Sequence, residues 1–117
     1  MQYLLLIYDN EANWGKMKEA EQAAMHKEYM EFTESIGKSG NLRAGQQLQP
    51  ISSATTVRIR DKKRLVTDGP FAETKEQLGG FYMVEAKDLD EAIAIAARIP
   101  SARAGSIEVR PIVERNM

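Results

Sequence analysis

The stretch Asp68–Phe81 reads D-G-P-F-A-E-T-K-E-Q-L-G-G-F, a pattern that neither a helix nor a strand needs for its own formation. Gly69 permits backbone dihedrals that other residues avoid, while Pro70 fixes φ and lacks an N–H donor. The segment before this turn is therefore expected to end at Asp68. A carboxylate at a strand end, a rigid turn and a short charged segment together indicate a candidate small-molecule site. They name no reaction.

Length and composition describe one ordinary soluble domain, spanning residues 1–117. A chain of 117 residues can bury roughly two-thirds of its unfolded surface. Sixteen basic and 17 acidic residues give a net charge of −1, which favours neither nucleic acid nor an anionic membrane as a partner. Because the sequence has no cysteine, disulfides, thiolate nucleophiles and cysteine-based metal sites are excluded.

The first residues are expected to form a strand rather than a targeting segment. They have neither a basic region nor a small-residue cleavage site, and no apolar run approaches the ~20 residues needed to span a bilayer. A cytoplasmic location, without membrane attachment, is therefore the expectation.

Apolar periodicity predicts the elements that precede the D-G-P-F stretch. Residues 3–8 are apolar at both parities, which suits a central strand buried on both faces. Residues 9–15 are polar and rich in turn formers, so a loop is expected there. From Lys16 to Lys38 apolar residues recur at helical spacing, and Ser39-Gly40 stops the helix. The sheet-facing stripe of this helix consists of Met25, Tyr29, Phe32 and Ile36.

The remaining elements follow from alternation and capping signals. The predicted strands are Leu42–Leu48, Thr55–Arg60, a short return strand Arg64–Thr67, Phe81–Ala86 and Ser106–Ile112. Asp88 and Glu91 form a D-x-x-E capping box for a helix over Leu89–Ile99, which Pro100 ends. With the short return strand counted as part of its hairpin, the order is β-α-β-β-β-α-β, an α+β chain that predicts a ferredoxin-like split βαβ sandwich with an extra hairpin strand.

A basic cluster surrounds the predicted hairpin turn. It comprises Arg58, Arg60, Lys62, Lys63 and Arg64. Such side chains bind phosphate groups, but the cluster has no interleaved aromatic residues and the acids elsewhere balance its charge. A solvated hairpin is therefore favoured over a nucleic-acid site.

Several short motifs are similar to those of one known family. They are Thr67–Phe71 with its D-G-P-F signature, Glu73–Glu76, Leu78–Gly80, Gly105–Pro111, Ala54–Arg58 and the spacing Gly45-X-X-Leu48. From Tyr3 to Ile112 the chain resembles the YCII-related family, in the branch named for its D-G-P-F motif. The resemblance implies a dimeric α/β barrel in which two copies pair sheet to sheet. It agrees with the element order, because two helices can cover only one face of the sheet.

Asp68 and His26 are the candidate catalytic residues, and each has a structural alternative. A carboxylate at a strand end acts as a general acid or base if burial raises its pKa, but an Asp before Gly-Pro is also a good Asx-turn former. His26 is the only histidine and lies beside the sheet-facing stripe, so it is either a catalytic imidazole or a boundary residue. The resemblance brings the catalytic interpretation of Asp68 about level with the turn, because the wider family is thought to use an Asp and a His together. For His26, a surface or boundary residue stays favoured.

Six further residues are candidates for substrate binding: Gly69, Pro70, Phe71, Glu73, Lys75 and Arg110. The motif residues are expected to line a pocket, because Phe71 needs burial while Glu73 and Lys75 need solvent or partners. Glu73, Lys75 and Arg110 have an alternative role as ion pairs that hold the loop shut. One histidine, no cysteine and scattered acids predict neither a metal site nor a cofactor.

Two functions from different classes remain open at this point. The first is a small enzyme with a pocket at a homodimer interface, in which Asp68, with His26, transfers protons on a small organic acid or lactone. The second is a ligand-binding or regulatory module, because members of the resembled branch occur beside, or fused to, extracytoplasmic-function sigma factors. The near-zero net charge argues against direct contact with DNA, so a regulatory role would act through protein contacts.

Overall fold

The computed structural model describes residues 1–115, in which there are six β-strands and three α-helices. The strands are β1 (Gln2–Asp9), β2 (Leu42–Gln47), β3 (Thr55–Arg60), β4 (Lys63–Asp68), β5 (Gln77–Glu85) and β6 (Ser106–Pro111). The helices are α1 (Glu11–Lys16), α2 (Glu19–Lys38) and α3 (Leu89–Ala96), with 3₁₀ turns at Ile51–Ser53 and Pro100–Arg103. No helix in this described range is long and apolar enough to cross a membrane.

Four of the strands form one antiparallel sheet in the order β2-β5-β1-β6. β1 is central, as predicted, and its Leu5 lies opposite Tyr82 of β5 and Val109 of β6. Within residues 1–115, β3 and β4 pair only with each other and form a separate two-stranded sheet. The strand order of the larger sheet is that of the predicted ferredoxin-like split βαβ fold.

The core lies between one face of this sheet and helices α2 and α3. On β1, Tyr3, Leu5 and Ile7 are buried. They pack with buried residues from the helices, from β5 and from the segments that follow them: Phe32, Ile36, Val84, Ala86, Ala92, Ile95, Ala96 and Ile99. Burying a large apolar side chain contributes about 1.5–3 kcal/mol, so this layer supplies most of the stability of the fold.

Helices α2 and α3 form where apolar spacing and capping signals agree. The four residues of the predicted stripe on α2 are buried or half-buried, and the stripe faces the sheet. The Asp88 carboxylate accepts a hydrogen bond from the Glu91 backbone N–H at 2.9 Å, which confirms the predicted cap of α3. α3 ends at Ala96 rather than Ile99, and Pro100 begins the following 3₁₀ turn.

Two predictions about the element order are wrong. The segment predicted as a loop contains α1, because the Asn10 side chain accepts from the Ala12 N–H at 3.0 Å and caps its first turn. The predicted hairpin is present as β3–β4, but it stands apart from the main sheet and adds no strand to it. The observed order is therefore β-α-α-β-β-β-β-α-β.

β5 begins at Gln77, before the predicted start at Phe81, because Gly79 and Gly80 belong to the strand. A Cβ atom at Gly80 would lie only 2.8 Å from the carbonyl oxygen of Gln46 on β2. Glycine at this position thus allows close pairing of two strands instead of ending a turn.

Neither α2 nor α3 covers the other face of the four-stranded sheet. Its side chains come from alternate positions: Leu4, Leu6 and Tyr8 of β1, Ala44 and Gln46 of β2, Leu78, Phe81 and Met83 of β5, and Ser106, Glu108 and Arg110 of β6. These residues are called the open face below. Its centre is apolar and its β6 edge is polar. The second cover that the sequence predicts for β1 is therefore not supplied by the long helices of the single chain.

Candidate functional site

The D-G-P-F turn begins where β4 ends. Asp68 is the last residue of β4 and lies opposite Thr55 on β3. Gly69 follows with φ of 92°, which favours glycine; its N–H donates to the Ala54 carbonyl at 2.7 Å. The Gly69 carbonyl accepts from the Thr56 hydroxyl at 2.8 Å. Because these bonds hold the turn, an Asx-turn role of Asp68 is not needed to explain it.

The charged segment behind the turn is anchored at its far end. The Thr74 hydroxyl donates to the Glu76 carbonyl at 2.5 Å, and the Gln77 side-chain amide donates to the Thr74 carbonyl at 2.7 Å. The Glu76 carboxylate accepts from the Ser106 hydroxyl at 2.9 Å, and the Gln77 side-chain oxygen accepts from the Glu11 N–H at 3.0 Å. These contacts tie the segment to β6 and to α1, at the end of the sheet where β1 also finishes.

Glu73, Lys75 and Arg110 do not pair with one another. Glu73 and Lys75 are exposed beside the turn, and Arg110 is exposed on the open face. The ion pairs that form within residues 1–115 join other groups, such as Glu28 and Arg103 at 2.7 Å. The proposed ion-pair closure of the loop is therefore absent from the described part of the chain, and the three side chains are accessible to a ligand.

His26 and Asp68 lie on different parts of the chain. His26 is exposed on α2, which packs on the helix-covered side of the sheet, whereas Asp68 is exposed at the base of the β3–β4 hairpin. Within residues 1–115, no hydrogen bond or ion pair joins the two side chains. Their action as a catalytic pair stays a prediction.

The predicted burial of Phe71 is wrong for the single chain, because its side chain is 78% exposed. Its carbonyl accepts a long hydrogen bond from the Arg58 guanidinium at 3.5 Å, and Pro70 beside it is also exposed. Two open clefts, of about 250 and 480 Å³, lie elsewhere on the surface and include no residue of the stretch from 68 to 81. The turn therefore presents an aromatic and a carboxylate side chain that could form one wall of a pocket. Neither cleft supplies the opposite wall.

At the polar edge of the open face, the predicted candidate Arg110 lies near two residues that sequence patterns missed, Tyr8 and Glu108. Arg110 lies opposite Leu4 and Glu108 lies opposite Leu6, while the Tyr8 hydroxyl donates to the Glu108 carboxylate at 3.5 Å. A phenol, a carboxylate and a guanidinium thus flank the apolar centre of this face. The alternation of β1 and β6 carries the signal, but only the register of the two strands places Tyr8 beside Glu108.

Two partly buried hydroxyl contacts lie on the opposite, helix-covered side. The hydroxyls of Tyr29 and Ser101 are 2.5 Å apart, and those of Thr33 and Tyr82 are 2.6 Å apart. Burial raises the pKa of Tyr29 above its usual range, although its contact with Ser101 acts in the other direction. These groups join α2 to the rest of the core and have a structural role. Among residues 1–115, no three His, Asp or Glu side chains are placed to share a metal ion.

Comparison with known proteins agrees with this architecture. A model of the YCII-related domain matches residues 1–116. An uncharacterised protein of Rhizobium meliloti (strain 1021) is 35% identical over 114 residues, which cover 96% of this chain and 92% of that protein. The solved structure of 5-chloro-2-hydroxyhydroquinone dehydrochlorinase from Burkholderia phenoliruptrix AC1100, in complex with 2,5-dihydroxybenzoquinone, is similar with a TM-score of 0.57. It is 14% identical, and the match covers 98% of this chain and 96% of that one. By its sequence, the chain belongs to the YCII-related family.

Proposed function

We propose that this chain is a small enzyme-like protein that binds a small organic molecule in a pocket near the D-G-P-F motif, with Asp68 as acid or base. Two copies of the chain would form the pocket together. The open face is the observation that carries the proposal: an apolar surface at Leu4, Leu6 and Phe81 adjoins Glu108 and Arg110. Ligand sites combine apolar walls with a few polar groups that fix orientation, which is the composition found here.

The surface of the single chain supports a homodimer. Its accessible area is 8736 Å² at a mass of 13.1 kDa. A compact monomer of that mass is expected to expose about 6,400 Å², so the excess is about 2,300 Å². Its radius of gyration is 16.4 Å, against about 13 Å for a compact domain of this length. One partner in a standard interface buries roughly 800 Å², so the excess is ample for a stable contact with a second copy.

The related fold of the dehydrochlorinase gives further support. That enzyme acts on a chlorinated hydroxyhydroquinone, and its structure holds a dihydroxybenzoquinone. A fold of this kind can thus carry small-molecule chemistry. A planar molecule with hydroxyl or carboxylate groups suits the open face of this chain, because Leu4, Leu6 and Phe81 offer apolar contact and Arg110 offers paired donors. The substrate class proposed here is therefore a small, oxygen-substituted organic acid or ring compound.

Asp68 is the proposed proton-transfer group because it is an exposed carboxylate at a fixed backbone position. An acid or base near neutral pH needs a carboxyl pKa raised toward the working pH, and loss of water contact is the usual means. A second copy that covers the turn would supply this desolvation. His26 would join Asp68 only if the second copy brings the two together.

A ligand screen followed by variants of Asp68 tests the proposal. Metabolites that raise the melting temperature of the wild-type chain are assayed for turnover, and Asp68→Asn and His26→Gln are then compared with it. Asp61→Asn is the matched control, because Asp61 is another exposed hairpin Asp and the substitution removes the same charge. Loss of one charge-assisted hydrogen bond costs about 1.5–3 kcal/mol, so Asp68→Asn should weaken ligand binding about tenfold or more.

The outcomes separate the enzyme from the regulatory alternative. Turnover that Asp68→Asn abolishes and Asp61→Asn leaves intact supports the enzyme. Binding without turnover supports a non-catalytic ligand-binding or regulatory module. A double variant of Asp68 and His26 that is no worse than the poorer single variant indicates a working pair. Equal binding and turnover in wild type and Asp68→Asn would contradict the proposed role of this carboxylate.

A further inference from the structure

We propose that the β3–β4 hairpin is an arm that packs on a second copy of this chain, which covers Asp68 and completes each candidate site. The arm is defined as residues Thr55–Asp68. The inference rests on the two-chain pocket of the proposed function and adds the surface that makes the contact. It assigns the desolvation of Asp68 to the partner instead of to its own chain.

The arm lacks the packing that an isolated hairpin needs. In the described chain it pairs with no other strand, all six residues of β4 are exposed, and five of the six on β3 are exposed. A two-stranded hairpin is marginally stable at best unless a third strand or a helix packs against it. Its sharp tip adds a local cost, because Asp61 and Lys62 both adopt positive φ, of 51° and 63°. In the single chain, the arm therefore lacks the cover that a stable hairpin needs.

The register of the hairpin divides the arm into two unlike sides. Val57 lies opposite Val66, and Ile59 follows two residues along β3 on the same side, opposite Arg64. Val57, Val66 and Ile59 are 58%, 56% and 59% exposed, so they form an apolar surface in solvent with Arg64 at its tip end. The other side carries Arg58, Lys63 and other polar groups around Leu65.

Asp68 shares the apolar side of the arm. Side chains two residues apart on a strand point the same way, so Asp68 lies on the side of Val66, opposite Thr55. Whatever covers Val57 and Val66 must also approach the Asp68 carboxylate and displace water from it. Packing of the arm on its partner therefore also desolvates Asp68, the candidate acid or base.

Charge favours a second copy of this chain as the cover. The arm holds five of the 16 basic residues but only two of the 17 acidic residues of the chain. The remaining 103 residues accordingly carry an excess of acids, so a copy of the chain attracts the arm as a whole. On the apolar side itself, Arg64 supplies the positive charge, while Arg58, Arg60 and Lys63 lie on the other side. In a two-fold dimer each copy offers one arm and receives one, which doubles every contact.

The base of the arm is fixed, which makes a defined contact possible. The Ile51 N–H donates to the Glu11 carboxylate at 2.9 Å, so the approach to the arm is tied to α1. The Gly69 N–H, just after the arm, donates to the Ala54 carbonyl, just before it, at 2.7 Å, so the two ends of the arm are joined. These bonds hold the base of the arm in place, while Phe71, 78% exposed, adds an aromatic surface beside Asp68.

Two adjacent residues of β4 give a matched pair of variants. Val66→Gln alters the apolar side and Leu65→Gln alters the other side; both positions are exposed, at 56% and 46%, and neither substitution changes charge. Sedimentation equilibrium should give a dimer dissociation constant that rises about tenfold or more for Val66→Gln, because symmetry places the change twice in the interface. Leu65→Gln should stay within about twofold of wild type. Circular dichroism checks that both variants keep the fold.

A label on the arm tests the contact directly. The chain has no cysteine, so a single introduced thiol carries a spin label at one chosen position. In the dimer, a label at position 66 should be immobile and a label at position 65 mobile. Equal mobility at the two positions, or equal dimer affinity of the two variants, would overturn the proposal.

These measurements use no ligand, so they separate the arm from the proposed function. Ligand turnover by the wild type together with equal effects of Val66→Gln and Leu65→Gln would overturn the arm contact and leave the function standing. A ligand that wild type and Asp68→Asn bind and turn over equally, together with the expected difference between the two arm variants, would do the reverse. A wild-type chain that stays monomeric would overturn both.

Discussion

The two faces of the four-stranded sheet differ in how completely they are packed. On β1, Leu5 is fully buried against the helix-covered core, while Leu6, its neighbour in sequence, lies on the open face and is only partly buried. The same strand thus contributes side chains to a closely packed core on one face and to a partly exposed surface on the other. The side chains of β1 that point into the core, such as Leu5, therefore specify the fold. The alternate side chains, such as Leu6, are available to contact a partner and a ligand.

The largest expected effect on the free energy of unfolding comes from truncating the leucines of the central strand β1. Leu5→Ala should lower the free energy of unfolding by about 2–5 kcal/mol, because it leaves a cavity in a closed core. Leu6→Ala should have a smaller effect that depends on protein concentration, because its packing depends on the second copy. Urea unfolding of both variants at two protein concentrations measures the difference.

The two leucine variants also define a contradictory result. Equal destabilisation that does not change with protein concentration would mean that the single chain covers both faces of β1. A wild-type unfolding midpoint that is independent of concentration would point the same way.

A smaller effect is expected within the finished layer, at the hydroxyl pair of Tyr29 and Ser101. Tyr29→Phe should cost about 1–2 kcal/mol at neutral pH, because it leaves the buried Ser101 hydroxyl without this partner. Burial raises the folded-state pKa of Tyr29 above its usual value of 10. This contribution to stability is complete below pH 10 and declines as the pH rises above it, since the unfolded chain loses the proton first.

The pH dependence of unfolding checks this sign. The stability gap between wild type and Tyr29→Phe should be constant at neutral pH and should narrow above pH 10. A gap that widens at alkaline pH would mean that the folded chain releases the Tyr29 proton more easily than the unfolded chain does.

The smallest effect is expected at the tip of the arm, far from the finished core. Lys62 has a positive φ of 63°, which an L-residue adopts at a cost. Lys62→Gly should remove that strain and stabilise the hairpin by about 0.5–1 kcal/mol, since Asp-Gly is a preferred pair for such a turn. Slower amide hydrogen exchange in β3 and β4, with unchanged exchange in β1, is the expected result; faster exchange in the arm would contradict it.

Local sequence signals predicted the finished half of the molecule well. The apolar stripe of α2 and the cap at Asp88 rest on contacts within a few residues, and both are confirmed. The sequence also predicted that β1 is a central strand with apolar side chains on both faces, but not how completely each face is covered. That property depends on which elements pack on the sheet, and no periodicity encodes it.

The hairpin and the D-G-P-F turn were predicted less well, because their surroundings also depend on long-range packing. Hairpin residues were read as strands, but whether those strands join the main sheet depends on long-range pairing. The pocket expected around Phe71 needs a second wall, which a single sequence does not locate. The Asn10 cap that starts α1 was visible in the sequence and was missed because a polar, turn-rich stretch also suits a loop.

The association state of the unaltered chain tests the central claim most directly. If the open face and the arm are completed by a second copy, sedimentation equilibrium in the micromolar range should give twice the chain mass of 13.1 kDa. The fitted mass should fall toward that of one chain only on strong dilution, because the interface is large and partly apolar. A folded species of 13.1 kDa at every micromolar concentration would contradict the account.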